Sequence, residues 1–286
     1  MYMVTTRLFG GLGNQLFQYA VGRAVALRNE CTLLLDTRET DTKGSHWQFG
    51  LSHFNIQATI GNDSNLPPAR SKPLQYYPWR VLRRTPKFTR EKHLGFNSQI
   101  NALGPNIYLH GYFQSEKYFS QIADIIRQDL VFKTPPSAEN INWLQMVSQA
   151  NSVSLHVRRG DYIAAGDAYA VCDHDYYKRA VDLIAEKLQS DPSVFIFSDD
   201  PAWAQENIKL GYKTRVSDHN DGSKHYEDLR LISHCKHNIT ANSTFSWWGS
   251  WLNSNPDKII VAPKAWFGKQ NLDNPDLIPY SWNVID

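Results

Sequence analysis

A chain of 286 residues is long enough to bury one large core or two medium ones. With 42% apolar and 20% charged residues it is globular, and a net charge of +2 argues against a nucleic-acid coat, so any phosphate chemistry has to be local. Three widely spaced cysteines, Cys31, Cys172 and Cys235, argue against a disulfide framework or a zinc site and fit a reducing compartment.

The stretch before Gly10 is too short for a signal peptide and no 18-residue apolar run occurs. A cytoplasmic protein without a transmembrane segment is expected, with peripheral attachment at an inner membrane left open. "MVTTRLF" reads as a strand, "GGLGNQ" as a glycine turn, and Gln15 to Glu30 as a helix with apolar Leu16, Ala20, Val21, Ala24 and Leu27. "CTLLLD" is the next strand, so the chain opens with a βαβ unit. From about 40 to 105 the pattern is irregular, a stretch long enough to suggest function. "NIYLHGYF" (106–113) resumes as a strand and 118–130 as an amphipathic helix.

"KTPPS" at 133–137 is the best linker signal and divides the chain into 1–133 and 134–286. Beyond it, strands at "SVSLHV", "SVFIFS", "YKTRVS", "HNITA" and "KIIVAP" alternate with helices near 174–189, 201–210, 225–236 and 244–253. This alternation predicts a doubly wound parallel sheet. The expected architecture is α/β, with two Rossmann-like domains facing a cleft and the C-terminal one more regular.

Ligands of open parallel sheets bind beyond the carboxyl ends of the strands. That rule brings His156 to Asp161, "FSDD" (197–200) and "ANSTFSWW" (241–248) to one rim. Arg158 offers a two-pronged, permanently charged donor set for phosphate oxygens. Ser243 and Thr244, at a helix start, form a second anion cradle. The plain alternative for "HVRRGD" is a surface turn with satisfied ion pairs.

"GGLGNQ" lets backbone approach a ligand, but Leu16 stands where a dinucleotide fingerprint needs its third glycine. Asp36 at the end of the second strand keeps a nicotinamide-cofactor reading open. Asp173 and Asp175 form an Asp-x-Asp pair of the kind metal-dependent sugar transferases use, yet they directly precede a helix, and one or the other is expected as its N-cap. Asp199 and Asp200, before Pro201, are expected to cap the next helix, so no metal site is expected. Asp228 is placed to pair with a guanine N1–H and amino group, against the alternative of a solvated helix charge.

Together "GGLGNQLFQYA", "HVRRGDY" and "NSTFSWWGSWL", in this order and spacing, resemble the bacterial α-1,2-fucosyltransferases and their α-1,6- and protein O-fucosyltransferase relatives. The resemblance implies a GT-B-like fold. It also implies transfer of L-fucose from GDP-β-L-fucose to the 2-hydroxyl of a galactose-terminated oligosaccharide, such as an O-antigen or capsule precursor. That transfer inverts the anomeric centre and needs neither metal nor cofactor beyond the donor. Carried over by motif, His156 lies against guanosine, Arg158 on the β-phosphate, Ser243 and Thr244 on the diphosphate and Asp228 on guanine. Asn242 joins the substrate-binding set, while Gly11, Gly13 and Asn14 approach the diphosphate and acceptor. Asp161 is the first candidate for general base, although pairing with Arg159 is an equal alternative. Asp36 and Asp167 remain candidates, and Asn14 is expected to orient the acceptor. Trp47, Tyr76, Tyr77, Trp79 and Phe96 are available to stack on sugars or simply to pack. A related transferase of another linkage and a catalytically silent glycan-binding protein are the competing readings.

Overall fold

The computed structural model describes residues 2–40, 48–68, 73–82, 86–160, 172–268 and 273–286. Its chain divides into one compact unit of Met1–Lys133 with Asn274–Leu277, and another of Thr134–Asp273 with Ile278–Asp286. The fold class read from the sequence is the one observed, since each unit is a parallel sheet with helical crossovers.

In the first unit β1 (Met3–Arg7), β2 (Thr32–Asp36), β3 (Thr59–Ile60), β4 (Lys87–Arg90) and β5 (Ile107–His110) form one parallel sheet ordered β3-β2-β1-β5-β4. Both faces of the central strands are covered: β2 buries the apolar run Leu33–Leu35, and β1 buries Val4 together with Thr5 and Thr6. The helix α1 (Leu12–Arg28) links β1 to β2 and buries Leu16, Phe17, Ala20, Val21 and Val25. It starts three residues before the expected Gln15. Gly11 takes the extended N-cap conformation, and the fully buried Gln15 fastens the first turn. Its amide donates to Gly10 O and Gln48 O, each at 2.9 Å, and accepts from Gly50 N at 3.0 Å.

The irregular stretch is not featureless. It contributes both edge strands, β3 and β4, and the helices α2 (Pro73–Leu82) and α3 (Ser98–Asn101). β5 stops at His110 rather than continuing to 113. There the Glu91 carboxylate accepts from Tyr112 N at 2.7 Å and Phe113 N at 3.0 Å, and Phe113 sits in the left-handed region with φ 52°. The helix expected over 118–130 is shortened to α4 (Ala123–Asp129), preceded by two tight turns at Glu116–Tyr118 and Ser120–Ile122. Buried Tyr118 breaks it, donating to Gly95 O and accepting from Asn97 N, both at 3.0 Å. The returning segment 274–277 is tied in by Asn274, which donates to Gln114 O at 3.0 Å. Asp276 accepts from Phe96 N at 2.8 Å and pairs with Lys117.

The second unit starts with a helix the sequence reading omitted, α5 (Ala138–Gln149), capped by the Ser137 hydroxyl. Six strands follow: β6 (Ser152–Val157), β7 (Ser193–Ser198), β8 (Lys213–Val216), β9 (His237–Ile239), β10 (Ile260–Pro263) and β11 (Asn283–Ile285). They are all parallel, in the order β11-β10-β9-β6-β7-β8. Their connecting helices include α6 (His174–Leu188), α7 (Pro201–Asn207), α8 (His225–His234) and α9 (Thr244–Leu252). Alternation along β6 sends Val153, Leu155 and Val157 into one core with Tyr176, Tyr177, Val181 and Ile184 of α6. Ser152, Ser154 and His156 therefore face the other side, where α8 and α9 pack. Trp247, Trp248 and Trp251 are buried within α9, so core packing takes these three of the nine tryptophans.

Candidate active site

Strand order in the second unit reverses at β6, with β7 and β8 on one side and β9 and β10 on the other. The carboxyl ends of β6 and β9 therefore flank a topological switch point, where ligands of such sheets bind. Leu155 lies in register with Ile239. Three residues further β6 delivers Arg158, and four residues further β9 has led through Asn242 to Ser243, the N-cap of α9. Segments more than eighty residues apart in the sequence thus meet at one rim.

Arg158 Nη1 lies 3.4 Å from Asp199 Oδ2, and both side chains are half-buried. The same carboxylate accepts from Arg159 N and Gly160 N, each at 2.9 Å. This corrects the expectation that Asp199 caps α7. A helix start has one N-cap position, and Asp200 fills it by accepting from Trp203 N at 3.1 Å, with Pro201 at the first helical position. Asp199, one residue earlier, turns to the β6 loop instead. The Arg159 guanidinium lies over the Trp203 ring, 3.5 Å from its centre. Asp161, Asp167 and Trp47 lie outside the described residues.

His156 is 4% exposed, and its ring centre stands 5.5 Å from that of Phe245. Burial, with the nearby Arg158 charge, pushes its pKa down to about 3, so the ring is neutral at ordinary pH. Its Nδ1 is buried without a hydrogen-bond partner. Phe245, half-buried in the first turn of α9, also approaches His225 at 6.3 Å and makes an aromatic surface the sequence reading missed. The Ser243 hydroxyl accepts from Phe245 N at 3.4 Å, and Thr244 is half-buried beside it. Buried Asn242 donates to Trp266 O at 2.8 Å and shapes the loop before the cap.

Asp228, on α8, accepts from Ser217 Oγ at 3.1 Å and from Asn220 Nδ2 at 2.8 Å. Burial pushes its carboxyl up to about 7, against the pull of these two donors. Ser217 follows β8, so Asp228 stands at the same rim, two strands away from β6. Neither Ser217 nor Asn220 was marked by sequence reading.

The first unit has its own switch point, between β1 and β5. Gly11 caps α1, and Gly13 and Asn14 sit inside its first turn rather than in a preceding loop. Asn14 Oδ1 accepts from Gln114 Nε2 at 2.9 Å, which joins the two sides of that point. Asp36 is 3% exposed, bonded by Arg38 at 2.5 Å and by the Tyr108 hydroxyl at 2.6 Å. Burial raises its pKa, and these donors outweigh it to give a net lowering. Its oxygens serve structure, so the acid that kept a nicotinamide reading open is occupied. Phe96 packs on Tyr118 with ring centres 5.0 Å apart, and Tyr76 on Trp79 at 6.3 Å.

Asp173 caps α6, accepting from Tyr176 N at 2.7 Å, as its position before a helix suggested. Among the described residues no group of three or more His, Cys, Asp or Glu is arranged to hold a metal ion, and no helix is long and apolar enough to cross a membrane.

Comparison with known proteins extends across the whole chain. It is 31% identical to an Escherichia coli protein named alpha-1,2-colitosyltransferase, with 100% of each covered. It is 32% identical to the E. coli O-antigen biosynthesis glycosyltransferase WbnK, over 92% of this chain and 95% of that one. Among solved structures, a mutant of Arabidopsis thaliana FUT1 in complex with GDP superposes with a TM-score of 0.51. The two are 15% identical over 91% of this chain and 70% of that one, a likeness of fold that fits a GT-B-like architecture. The sequence pattern described as glycosyl transferase family 11 matches residues 3–286, and the chain belongs to that family.

Proposed function

We propose that the chain moves L-fucose from GDP-β-L-fucose to the 2-hydroxyl of a galactose in an oligosaccharide, inverting the anomeric centre without a metal ion. One observation carries this reading: Arg158 and the capped start of α9 converge at the switch point of a chain similar over its full length to an α-1,2-transferase. The galactoside acceptor is supported by Bos taurus galactoside alpha-(1,2)-fucosyltransferase 2, 27% identical over 87% of this chain and 69% of that protein.

In this mechanism the acceptor oxygen bonds to C1 of the sugar as the C1–O bond to the β-phosphate breaks, and its electron pair leaves with GDP. Charge grows on the phosphate while the sugar becomes oxocarbenium-like. Arg158 and the N–H groups at the start of α9 meet that charge, the task a divalent cation performs elsewhere. His156 and Phe245 form the nucleoside wall. Asp228 stands two strand spacings from β6, about 10 Å. That reach suits the distance between a diphosphate and its guanine, whose N1–H and amino group the carboxylate accepts. Asn14 and Gln114 orient the acceptor, and its proton is assigned to Asp161. A pH–rate profile of Asp161→Asn that overlays the wild-type profile would remove that assignment.

A second reading concerns the donor alone. Similarity to a colitosyltransferase supports GDP-colitose, whose sugar is fucose without its 3-hydroxyl. The deciding experiment incubates the protein with each donor and a panel of β-galactosides, with and without EDTA, and determines the product linkage. Fucosyl-α-1,2-galactose formed in EDTA is the expected product. Absence of GDP release with both donors on every galactoside overturns the proposal.

A further inference from the structure

The helix α2 is apolar on both faces. Inward, Trp79 meets Phe88 of β4 edge-on with 5.6 Å between ring centres, and Phe88 stacks on Tyr108 at 4.6 Å. These contacts anchor the helix to the edge of the sheet. Outward, Leu74 is 91% exposed, Tyr77 62%, Val81 78% and Leu82 81%. Positions 74, 77 and 81 share one helical face, so these side chains form a stripe rather than scattered exposures.

The stretch of sequence that carries the stripe is one-sided in charge. Of the 23 residues from 70 to 92, eight are Lys or Arg and one, Glu91, is acidic, although the whole chain carries only +2. Lys87, Arg90 and Lys92 are exposed on and just after β4. Glu91, the one acid of the stretch, accepts from the N–H groups of Tyr112 and Phe113, which holds it against the loop after β5 and leaves a clear excess of positive charge.

We propose that α2, with the exposed Lys87, Arg90 and Lys92 on and just after the adjoining strand, docks the first unit onto an anionic lipid surface, with the outward stripe set among the acyl chains and these cations at the headgroups. Charge selects this occupant. A second copy of the chain would bring the same positive field against itself, whereas a negatively charged bilayer attracts it. An aliphatic stripe with aromatic and basic residues beside it is the composition of helices that lie in a membrane interface. This inference does not rest on the transfer reaction.

The test is flotation of the purified full chain with phosphatidylcholine vesicles containing about 30% phosphatidylglycerol, and with phosphatidylcholine alone. The wild type is expected to float with the anionic vesicles at low salt and to lose about tenfold in partitioning as salt rises to about 0.5 M. The double variant Leu74→Glu, Val81→Glu is expected to lose at least about tenfold while keeping its melting temperature within about 2 °C. If that variant proves unstable, Leu74→Ser with Val81→Thr replaces it under the same expectation. Failure of the wild type to float, equal flotation on neutral vesicles, or undiminished flotation of the folded variants overturns the proposal. So does a dimer, seen by sedimentation, that these substitutions abolish while no vesicle binding occurs.

Discussion

The guanidinium of Arg158 stands 3.4 Å from the carboxylate of Asp199, and that carboxylate also takes the N–H groups of Arg159 and Gly160. One acid therefore shapes the loop after β6 and aims its arginine. Arg158→Ala is expected to lower turnover at least ~10²-fold, with Arg158→Lys recovering part because it keeps the charge without the fork. Asp199→Asn retains an acceptor but not the ion pair, and an intermediate loss of about tenfold is expected. Steady-state GDP release measures all three, and full turnover in a folded Arg158→Ala protein removes the arginine from the reaction.

Asp228 supplies a pH signature. Its carboxyl is raised to about 7, so between about pH 4 and pH 7 the folded chain holds a proton that the unfolded chain has lost. Stability contributed by this site falls as pH rises through that window. In Asp228→Asn the melting temperature, relative to wild type, should therefore improve steadily from about pH 4 to about pH 8. GDP affinity should move the other way. In the wild type it rises with pH through about 7 as the guanine-accepting carboxylate forms, and the variant binds about 10- to 100-fold more weakly at about pH 8. Calorimetric titrations with parallel pH profiles for the two proteins would contradict this role.

His156 acts in the opposite direction. Its folded pKa of about 3 lies below the ordinary 6.5, so the unfolded chain takes up a proton first on acidification. Stability from this site is full above about pH 6.5 and declines below it, by about 2 kcal/mol at pH 5. His156→Phe keeps a ring against Phe245 and removes the titration. Denaturant melts at about pH 5 and pH 7.5 should show the variant losing about 2 kcal/mol less than wild type.

Gly10 carries φ +76°, and a Cβ there would stand 2.7 Å from Asn14 Nδ2. Gly10→Ala should cost about 1–2 kcal/mol and displace the amide that meets Gln114. Transfer is expected to fall about tenfold with GDP affinity unchanged, because the residues proposed to hold the nucleotide belong to the other unit. An equal fall in GDP affinity would tie Gly10 to the nucleotide instead.

The rim of the second unit was legible because strand order and motif position are properties of the sequence. Reading the alternation as a doubly wound sheet put the ends of "SLHV" and "HNITA" at one rim, and the pairing of these two strands in the structure brings Arg158 and Ser243 to the same edge. What escaped was side-chain partnership. Nothing in "FSDD" tells which aspartate caps the helix and which one turns to the β6 loop. Phe245 looked like one more aromatic before "SWWGSW" until its ring was seen between His156 and His225. α5 was missed because its start lay inside what read as a linker, although Ser137 with Glu139 in the first turn is a recognisable helix opening. The broken helix at 118–130 shows the converse error, a good periodicity overridden by tertiary contacts of Tyr118.

Residues 274–277 complete the first unit from far down the chain. A gene fragment ending at 133 would leave the Gln114 carbonyl, the Phe96 amide and the Lys117 ammonium without the partners that Asn274 and Asp276 supply. The N-terminal half is thus not a self-sufficient module. Chimeras that exchange N-terminal halves between relatives have to transplant this tetrapeptide along with them, or graft the amide that faces Asn14 onto an unsupported loop.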